Sequence, residues 1–225
     1  MCLILNIETS TKNCSVALFN GSDFISEKSL LSEKYSHSET LTLFIKDVMT
    51  DSSFKLKDLD AISVSKGPGS YTGLRIGVST AKGLSYSLSK PLISVSTLQS
   101  MAFSMSKKMP NFDLYCPMID ARRMEVFSAF YNKENQQVRE VKADIIDENS
   151  YNTFLDKKIL FFGDGSEKCK GIVKVKNTSF IDDIYPSASD MSELSLEKFK
   201  NNYFEDVAYF EPFYLKDFVV GKKKN

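Results

Sequence analysis

Polar and apolar residues alternate at the start of the chain. In the run LILNIE, Leu3, Leu5 and Ile7 share one face, a period of two that predicts a β-strand. The next run, CSVALFNGSDFISEKSL, has Asn20-Gly21 between two β-prone stretches, which indicates a tight hairpin. The alternation therefore predicts about three antiparallel strands at the start of the chain.

The pattern then changes to a helical period. The apolar stripe of this helix, at i, i+3, i+4 and i+7, consists of Leu41, Phe44, Ile45 and Val48. Ser36 and Glu39 have the spacing of a capping box at its start. The segments DAISVSKG, YTGLRIGVSTAKGLSYSL and PLISVS then predict a strand, a helix and a strand, a βαβ unit that makes the sheet mixed. The run TLQSMAFSMSKK predicts a further short helix.

A second series of strands begins after the break at KKMPNFD. LYCPMIDA and MEVFSAFYN predict a hairpin, QQVREVKADII a third strand, and KILFFGDGSEKC a strand that meets a Gly-Asp-Gly turn. SASDMSELSLEKFKNNY predicts a helix. Both halves thus begin with strands, so we predict an α/β protein with one fold used twice, in subdomains 1–106 and 107–225. We leave open whether the last helix packs back on the first half.

Composition narrows the function classes. Acidic and basic residues balance at 29 each, so no global basic field points to nucleic acid. Four free cysteines without CxxC spacing fit a reducing compartment. His37 is the single histidine, which argues against a His-rich metal site. The sequence shows no secretory or membrane-spanning segment, so we expect no membrane partner and a cytoplasmic protein.

The stretch KGPGSYTGLRIGVSTAKGL, residues 66–84, holds five of the ten glycines. It lacks the spacing of a Walker A loop and has no Lys-Ser or Lys-Thr pair. It is also one residue too long for a dinucleotide-binding fingerprint. An anion site formed by the backbone amides of residues 69–72, at the start of the predicted helix, stays open.

Three small residues of this helix, Gly73, Gly77 and Ala81, are spaced by four and share one face. A glycine in a helix interior costs about 1 kcal/mol relative to alanine, so the stripe indicates close approach of another backbone. Two explanations stay open from the stripe alone. It packs on the protein's own sheet, or it contacts another helix, such as one of a partner subunit.

Several motifs in order resemble the TsaB (YeaZ) family, whose members are needed for the threonylcarbamoyl modification of adenosine 37 in tRNA. The motifs are ILNIETSTKNCSVALF, KYSHSETL, AISVSKGPGSYTGLRIGVSTAKGLS, KPLISVSTLQSMA and PMIDARRMEVFSAFY. The resemblance covers residues 1–131, with FGDG and PFYLK beyond. It implies two ribonuclease-H-like subdomains of the actin/Hsp70 ATPase (ASKHA) type, with mixed sheets flanked by helices.

The family is similar to TsaD, the catalytic subunit, which carries an H-x-x-x-H metal site on a short helix. In this chain Thr97 and Met101 stand at those two positions. A hydroxyl and a thioether are poor substitutes for a histidine pair. The resemblance therefore implies no catalytic residue, no metal and a non-catalytic subunit.

The resemblance also implies partners. TsaB proteins pair with TsaD through helices of the first subdomain, work with the ATPase TsaE, reach tRNA through the complex and homodimerise when alone. The interface residues that we predict on this basis are His37, Leu41, Gly73, Arg75, Gly77 and Ala81. For the glycine stripe, this raises partner contact above internal packing.

The alternative is an autonomous actin-like-fold ATPase. In such folds the first hairpin, here IETSTKNCS, faces nucleotide phosphates. A vestigial nucleotide or anion site would then consist of Glu8, Thr9, Ser10, Gly69 and Ser70. We expect no cofactor in the chain by itself and leave ATP or ADP binding open. A metalloprotease is disfavoured because only one histidine is present.

A few charged residues add weaker hypotheses. Glu8 and Asp120 lie at strand ends and could bind Mg²⁺ or a nucleotide, although a hydrogen-bonded carboxylate is the simpler explanation. Arg122-Arg123 could form surface ion pairs or contact a partner or RNA, and the GKKKN tail could add a weak contact to tRNA. Lys216 replaces the arginine with which the family usually ends PxYLR, so the bidentate fork is lost there.

Overall fold

The computed structural model describes residues 2–32 and 37–216 and contains two five-stranded sheets with four α-helices in that part of the chain. The strands of the first sheet are β1 (Leu3–Glu8), β2 (Asn13–Asn20), β3 (Asp23–Leu31), β4 (Ala61–Gly67) and β5 (Leu92–Ser96). Those of the second are β6 (Leu114–Asp120), β7 (Glu125–Asn132), β8 (Gln137–Ile145), β9 (Ile159–Phe162) and β10 (Thr178–Ile181). The helices are α1 (His37–Asp51), α2 (Tyr71–Leu88), α3 (Thr97–Lys108) and α4 (Ser192–Lys200).

The two sheets have the same topology. The first has the order β3-β2-β1-β4-β5, and the second, read from β8, has the order β8-β7-β6-β9-β10. In each, the first three strands in sequence pair antiparallel and the last two are added in parallel. The prediction of one α/β fold used twice, with mixed sheets, is confirmed.

The connections between strands differ in size between the two halves. In the first half, α1 precedes β4 and α2 joins β4 to β5. At the corresponding places in the second half, the helical segments are the 3-10 turns Asn152–Phe154 and Glu167–Cys169. None of the helices described is long and apolar enough to cross a membrane.

The first sheet has an apolar layer on each face. On one face, Leu5, Val16 and Val64 pack with buried residues of α1 and α2. On the other face, residues of three strands pack with α4. This second group consists of Ile4, Ala61, Ile93, Val95, Met191 and Leu194. Because α4 supplies part of that layer, the last helix does pack back on the first half.

Polar contacts hold this returning segment in place. The Asn13 side-chain amide donates to the carbonyl of Pro186 (2.9 Å), and the amide of Ala188 donates to the Ser15 hydroxyl (2.8 Å). Ser195 of α4 donates to Asn6 (2.7 Å), inside the first sheet. Residues 186–204 therefore lie largely on the first subdomain.

Residues 205–216, which we call the C-terminal strap, connect both halves. The strap begins where Glu205 bridges Leu92, and it passes over α2, where the Lys82 ammonium donates to the carbonyls of Ala208 (3.1 Å) and Phe210 (2.9 Å). The amide of Phe213 then donates to the carbonyl of Lys66 (2.7 Å). The strap ends with an ion pair between Lys216 and Glu125 of the second sheet.

One predicted turn is shifted in the structure, and two predicted features lie outside the described residues. The hairpin of β2 and β3 has Gly21-Ser22 as its two-residue turn, with Asn20 paired to Asp23, so the turn lies one residue later than the predicted Asn20-Gly21. Gly21 has a φ of 62°, the left-handed conformation that glycine adopts without strain. Ser36 of the predicted capping box, and the GKKKN tail, lie outside the described residues.

Candidate functional site

The glycine loop after β4 packs against the turn that follows β1. The Ser70 amide donates to the carbonyl of Ser10 (2.6 Å). A Cβ atom on Gly69 would come within 3.0 Å of the same carbonyl, a separation that real Cβ atoms essentially never show. Glycine is therefore required at position 69 for the two loops to touch.

The small-residue stripe of α2 faces the same turn. The Thr9 hydroxyl donates to the carbonyl of Gly73 (2.8 Å). A Cβ on Gly73 would collide with the Thr9 carbonyl, and one on Gly77 with the Thr9 hydroxyl. Ala81, one turn further, is fully buried. Our preference for partner contact as the explanation of this stripe is wrong, because the chain's own turn already fills the face.

The predicted interface residues lie mainly inside the protein. Leu41 belongs to the first core and, like His37, is 1% exposed, and the three residues of the stripe are buried. Of the six, Arg75 alone is exposed, where its guanidinium contacts Tyr71 (3.4 Å). In this conformation only Arg75 could touch a partner directly; the others shape the helices behind that surface.

His37 positions the turn against α1. Its Nε2 lies 2.8 Å from the carbonyl of Thr11, and its ring lies 3.2 Å from where a Gly73 Cβ would be. Burial lowers the pKa of His37 below its ordinary value, with the Thr11 contact opposing the shift. A neutral imidazole that donates to Thr11 is consistent with a structural role at the start of α1.

Glu8 ends β1 beneath this turn and is fully buried. Its Oε1 accepts from the Ser10 amide (2.6 Å) and the Ser65 hydroxyl (2.8 Å). Burial raises the pKa of Glu8, and the two hydrogen bonds oppose the rise. The other carboxylate oxygen and the Ser10 hydroxyl have no hydrogen-bond partner within the described residues.

Three backbone amides around the turn and the glycine loop bind acceptors within the chain, and one of them, that of Ser70, belongs to the predicted anion site of residues 69–72. The Ser10 amide is bound to Glu8, the Ser70 amide to Ser10, and the Gly73 amide to the Ser70 hydroxyl (3.3 Å). The structure does bring the five residues of the predicted vestigial site together. However, a phosphate there would have to displace internal contacts and lie beside a carboxylate, which electrostatics disfavours.

The two positions that correspond to the TsaD histidines lie in α3. Thr97 and Met101 are buried, and their spacing of four puts them on one helical face. No group of three or more His, Cys, Asp or Glu side chains in residues 2–32 and 37–216 is arranged to hold a metal ion. Loss of the metal site stays a prediction from the ligand types.

An apolar groove opens on the outer side of the first subdomain, between α1 and α2. Its volume is about 400 Å³. The residues that line this α1–α2 groove are Thr42, Ile45, Lys46, Met49, Thr50, Phe54, Leu56, Thr80 and Leu84. The groove lies on the same two helices as the predicted interface but uses other residues of them. Of these residues, Ile45 alone belongs to the apolar stripe that the sequence predicts. Helical periodicity gave no signal for Phe54 and Leu56, because they follow the end of α1.

A second cavity of about 360 Å³ lies at the junction of the halves, with Met101 and Asn13 in its wall.

The sequence did not lead us to predict Ser65 as a site residue, although its hydroxyl donates to Glu8. A signal was present, because Ser63 and Ser65 place polar groups on one face of a strand that otherwise reads as buried. Such a pair can indicate an internal polar network.

The chain is similar in sequence to proteins of one biosynthetic system. A family model described as "TsaD: tRNA N6-adenosine threonylcarbamoyltransferase" matches residues 31–219. The Escherichia coli (strain K12) protein named "tRNA threonylcarbamoyladenosine biosynthesis protein TsaB" is 30% identical over 229 residues, covering 98% of this chain and 97% of that protein. A protein of the same name from Buchnera aphidicola subsp. Acyrthosiphon pisum is 34% identical, covering 88% of this chain and 90% of its own length.

Solved structures show the same fold. The structure described as "YeaZ from Pseudomonas aeruginosa" superposes with a TM-score of 0.82 at 22% identity, covering 96% of this chain and all of the other. An activator of 2-hydroxyisocaproyl-CoA dehydratase from Clostridium difficile, solved with bound ADPNP, superposes with a TM-score of 0.51 at 9% identity, covering 91% and 98%. The two matches support the predicted ASKHA-type fold and concern the fold alone.

Proposed function

The chain belongs to the TsaB family of tRNA threonylcarbamoyladenosine biosynthesis proteins, and from this premise we propose that it is a non-catalytic subunit. In this role it binds and stabilises the catalytic subunit TsaD and works with the ATPase TsaE. Together they transfer the threonylcarbamoyl group to adenosine 37 of tRNA. By itself the chain would hold no catalytic residue, metal or nucleotide.

The α1–α2 groove is the observation that carries this proposal. Its lining includes the partly exposed Phe54, Leu56 and Leu84, apolar groups that a partner helix can cover. Burying apolar surface contributes about 25 cal/mol per Å², so such a groove favours association. Its place on the first subdomain agrees with the pairing that the family resemblance implies. We propose that the catalytic subunit occupies this groove, and that a second copy of the chain occupies it when the chain is alone.

Two features of the site support a non-catalytic role. The turn after β1 and the glycine loop bind each other, and the buried Glu8 accepts from the Ser10 amide beneath them. The side chains of Thr97 and Met101 are poor metal ligands. These features also count against the alternative of an autonomous ATPase.

The test places a charge in the groove without removing core atoms. Thr80 is half-buried in the groove wall, so Thr80→Arg should weaken association because a cation would be buried without a partner. We expect a loss of the complex with TsaD of the same organism in gel filtration, and loss of modification in a reconstituted transfer assay. Thr153→Arg, at an exposed position of the second subdomain, is the matched control and should leave both unchanged.

Two results would contradict the proposal. Transfer activity of the isolated chain without TsaD would show that the chain is catalytic. A Thr80→Arg variant that stays folded and still forms the complex would place the interface elsewhere.

A further inference from the structure

The four arginines of the chain fall into two pairs. Arg139 forms an ion pair with Asp144 and donates to Ser128 (3.2 Å), and Arg75 lies over the ring of Tyr71. Each of these two guanidiniums therefore makes a directed contact with another residue of the chain. Arginine is otherwise rare here, because the remaining 25 basic residues are lysines.

The other two arginines lie on the turn between β6 and β7. Arg122 and Arg123 are both exposed. Neither guanidinium has a hydrogen bond, ion pair or ring contact to any of residues 2–32 and 37–216. Both have positive φ angles, 70° and 48°, a region that favours glycine and asparagine. The turn thus presents two arginines in a backbone conformation that smaller residues would adopt more easily.

The carboxylates near this turn are already engaged. Lys168 forms an ion pair with Asp120, and Lys216 with Glu125. Asp164 accepts from the amide of Asp120 (3.0 Å). With these acids engaged, the two guanidiniums leave the turn with an unbalanced positive charge. A guanidinium matches a carboxylate or a phosphate with two parallel hydrogen bonds, which an ammonium cannot do.

We propose that Arg122 and Arg123 bind phosphates of the tRNA backbone, an inference that rests on the proposed function. The family's substrate is a polyanion whose neighbouring phosphates suit two adjacent guanidiniums. Such contacts position the nucleic acid and carry no sequence information. The chain would thereby contribute directly to substrate binding in the complex, although its overall charge is zero.

The experiment measures tRNA affinity of the assembled complex with TsaD by fluorescence anisotropy over a range of salt concentrations. For Arg122→Gln/Arg123→Gln we expect the Kd to rise by about tenfold or more, and the slope of log K against log salt to fall by about 2. Arg122→Lys/Arg123→Lys should keep the slope and lose part of the affinity, because charge remains without the fork.

Lys133→Gln/Lys157→Gln is the matched control. These exposed lysines lie at the other end of the second sheet, about 25 Å from the turn by strand length, so they remove the same charge elsewhere. Arg122→Gly/Arg123→Gly tests the turn itself. It should bind tRNA as weakly as the glutamine variant, with an equal or higher melting temperature, because glycine relieves the positive φ.

Complex formation is read separately by gel filtration. If the wild-type chain fails to associate with TsaD, the proposed function fails, whatever the arginines do. If the complex forms and the glutamine variant keeps the wild-type Kd and salt slope, the phosphate contact is refuted. If that variant loses a protein component while tRNA affinity of the remaining complex is unchanged, the turn binds an acidic protein surface, and the inference is equally refuted.

Discussion

At the residue scale, Glu8 connects the turn after β1 to β4 through its carboxyl group. Its carboxyl group is fully buried and accepts two hydrogen bonds at the place where related folds would face a phosphate. Burial without a cation favours the neutral acid, so the pKa rises. This carboxyl group helps to hold the turn through its hydrogen bonds to the Ser10 amide and the Ser65 hydroxyl.

The raised pKa predicts a pH-dependent stability. Between the ordinary value of 4.5 and the raised folded value, the native state keeps a proton that the unfolded chain has released. The free energy of unfolding should therefore fall as the pH rises through this window, by at most about 1.4 kcal/mol per pH unit for one proton. Below the window the contribution is fully present.

Glu8→Gln removes this proton linkage. The free energy of unfolding of the variant, relative to wild type, should increase as the pH is raised from 4.5, and should level off above the folded pKa. Urea unfolding at several pH values measures the difference. Parallel curves for the two proteins would mean that Glu8 ionises in the native state as it does in the unfolded chain.

At the scale of elements, α2 contains one glycine that packing requires and one that packing does not require. Gly77 lies against Thr9, where a Cβ would collide with the hydroxyl, whereas a Cβ on Gly83 would meet no atom within 4 Å beyond its own stretch of helix. One glycine is required by packing. The other has no such requirement and lowers the helix propensity by about 1 kcal/mol relative to alanine.

Two alanine substitutions should therefore have opposite effects. Gly77→Ala should lower the free energy of unfolding by about 1–3 kcal/mol through overpacking, and Gly83→Ala should leave it unchanged or raise it by up to about 1 kcal/mol. Because the obstacle is the Thr9 hydroxyl, Thr9→Ala/Gly77→Ala should lose less than the sum of the two single variants. Urea unfolding gives all four values, and strict additivity would refute this contact.

The helices and strands were largely predictable from the sequence, whereas the contacts between them were not. The helix α3 has the bounds expected from TLQSMAFSMSKK, because its apolar residues follow a helical period. β10 was missed, since four residues, TSFI, are too few for a period. The stripe on α2 was identified correctly, but its partner Thr9 lies 64 residues away, and spacing within a helix carries no information about distant contacts.

The candidate site was predictable to the same limited degree. The motifs identified the turn after β1 and the glycine loop, and the structure places them in contact. What they could not show is where the amides donate, because each backbone donor can bind a ligand or another part of the chain. Here the amides of Ser10, Ser70 and Gly73 bind acceptors within the chain.

At the scale of the whole molecule, the two subdomains share one sheet topology but differ in the segments that connect their strands. The first carries α1, α2 and the apolar groove, and the second has only 3-10 turns at the corresponding places. Helices that present apolar surface suit protein contacts, whereas the exposed arginine turn of the second half suits a charged partner. This division fits a subunit that joins other components.

The closed loops predict weak or no nucleotide binding by the isolated chain. Titration with ATP and Mg²⁺ in a calorimeter should give no saturable heat, because Ser10, Ser70 and Gly73 direct their amides to internal acceptors. The same titration of the complex with TsaD serves as the comparison. Micromolar binding with turnover by the chain alone would instead favour the autonomous ATPase.

The return of α4 to the first sheet has a consequence for synthesis on the ribosome. Residues 1–106 emerge first, with Ile4, Ile93 and Val95 on a sheet face whose cover, Met191 and Leu194, is made only near the end. The second apolar layer of the first subdomain therefore cannot form until the segment with Met191 and Leu194 has been synthesised. Folding of this chain is completed after translation of both halves, and that exposed face is a natural point of contact for a chaperone in the interval.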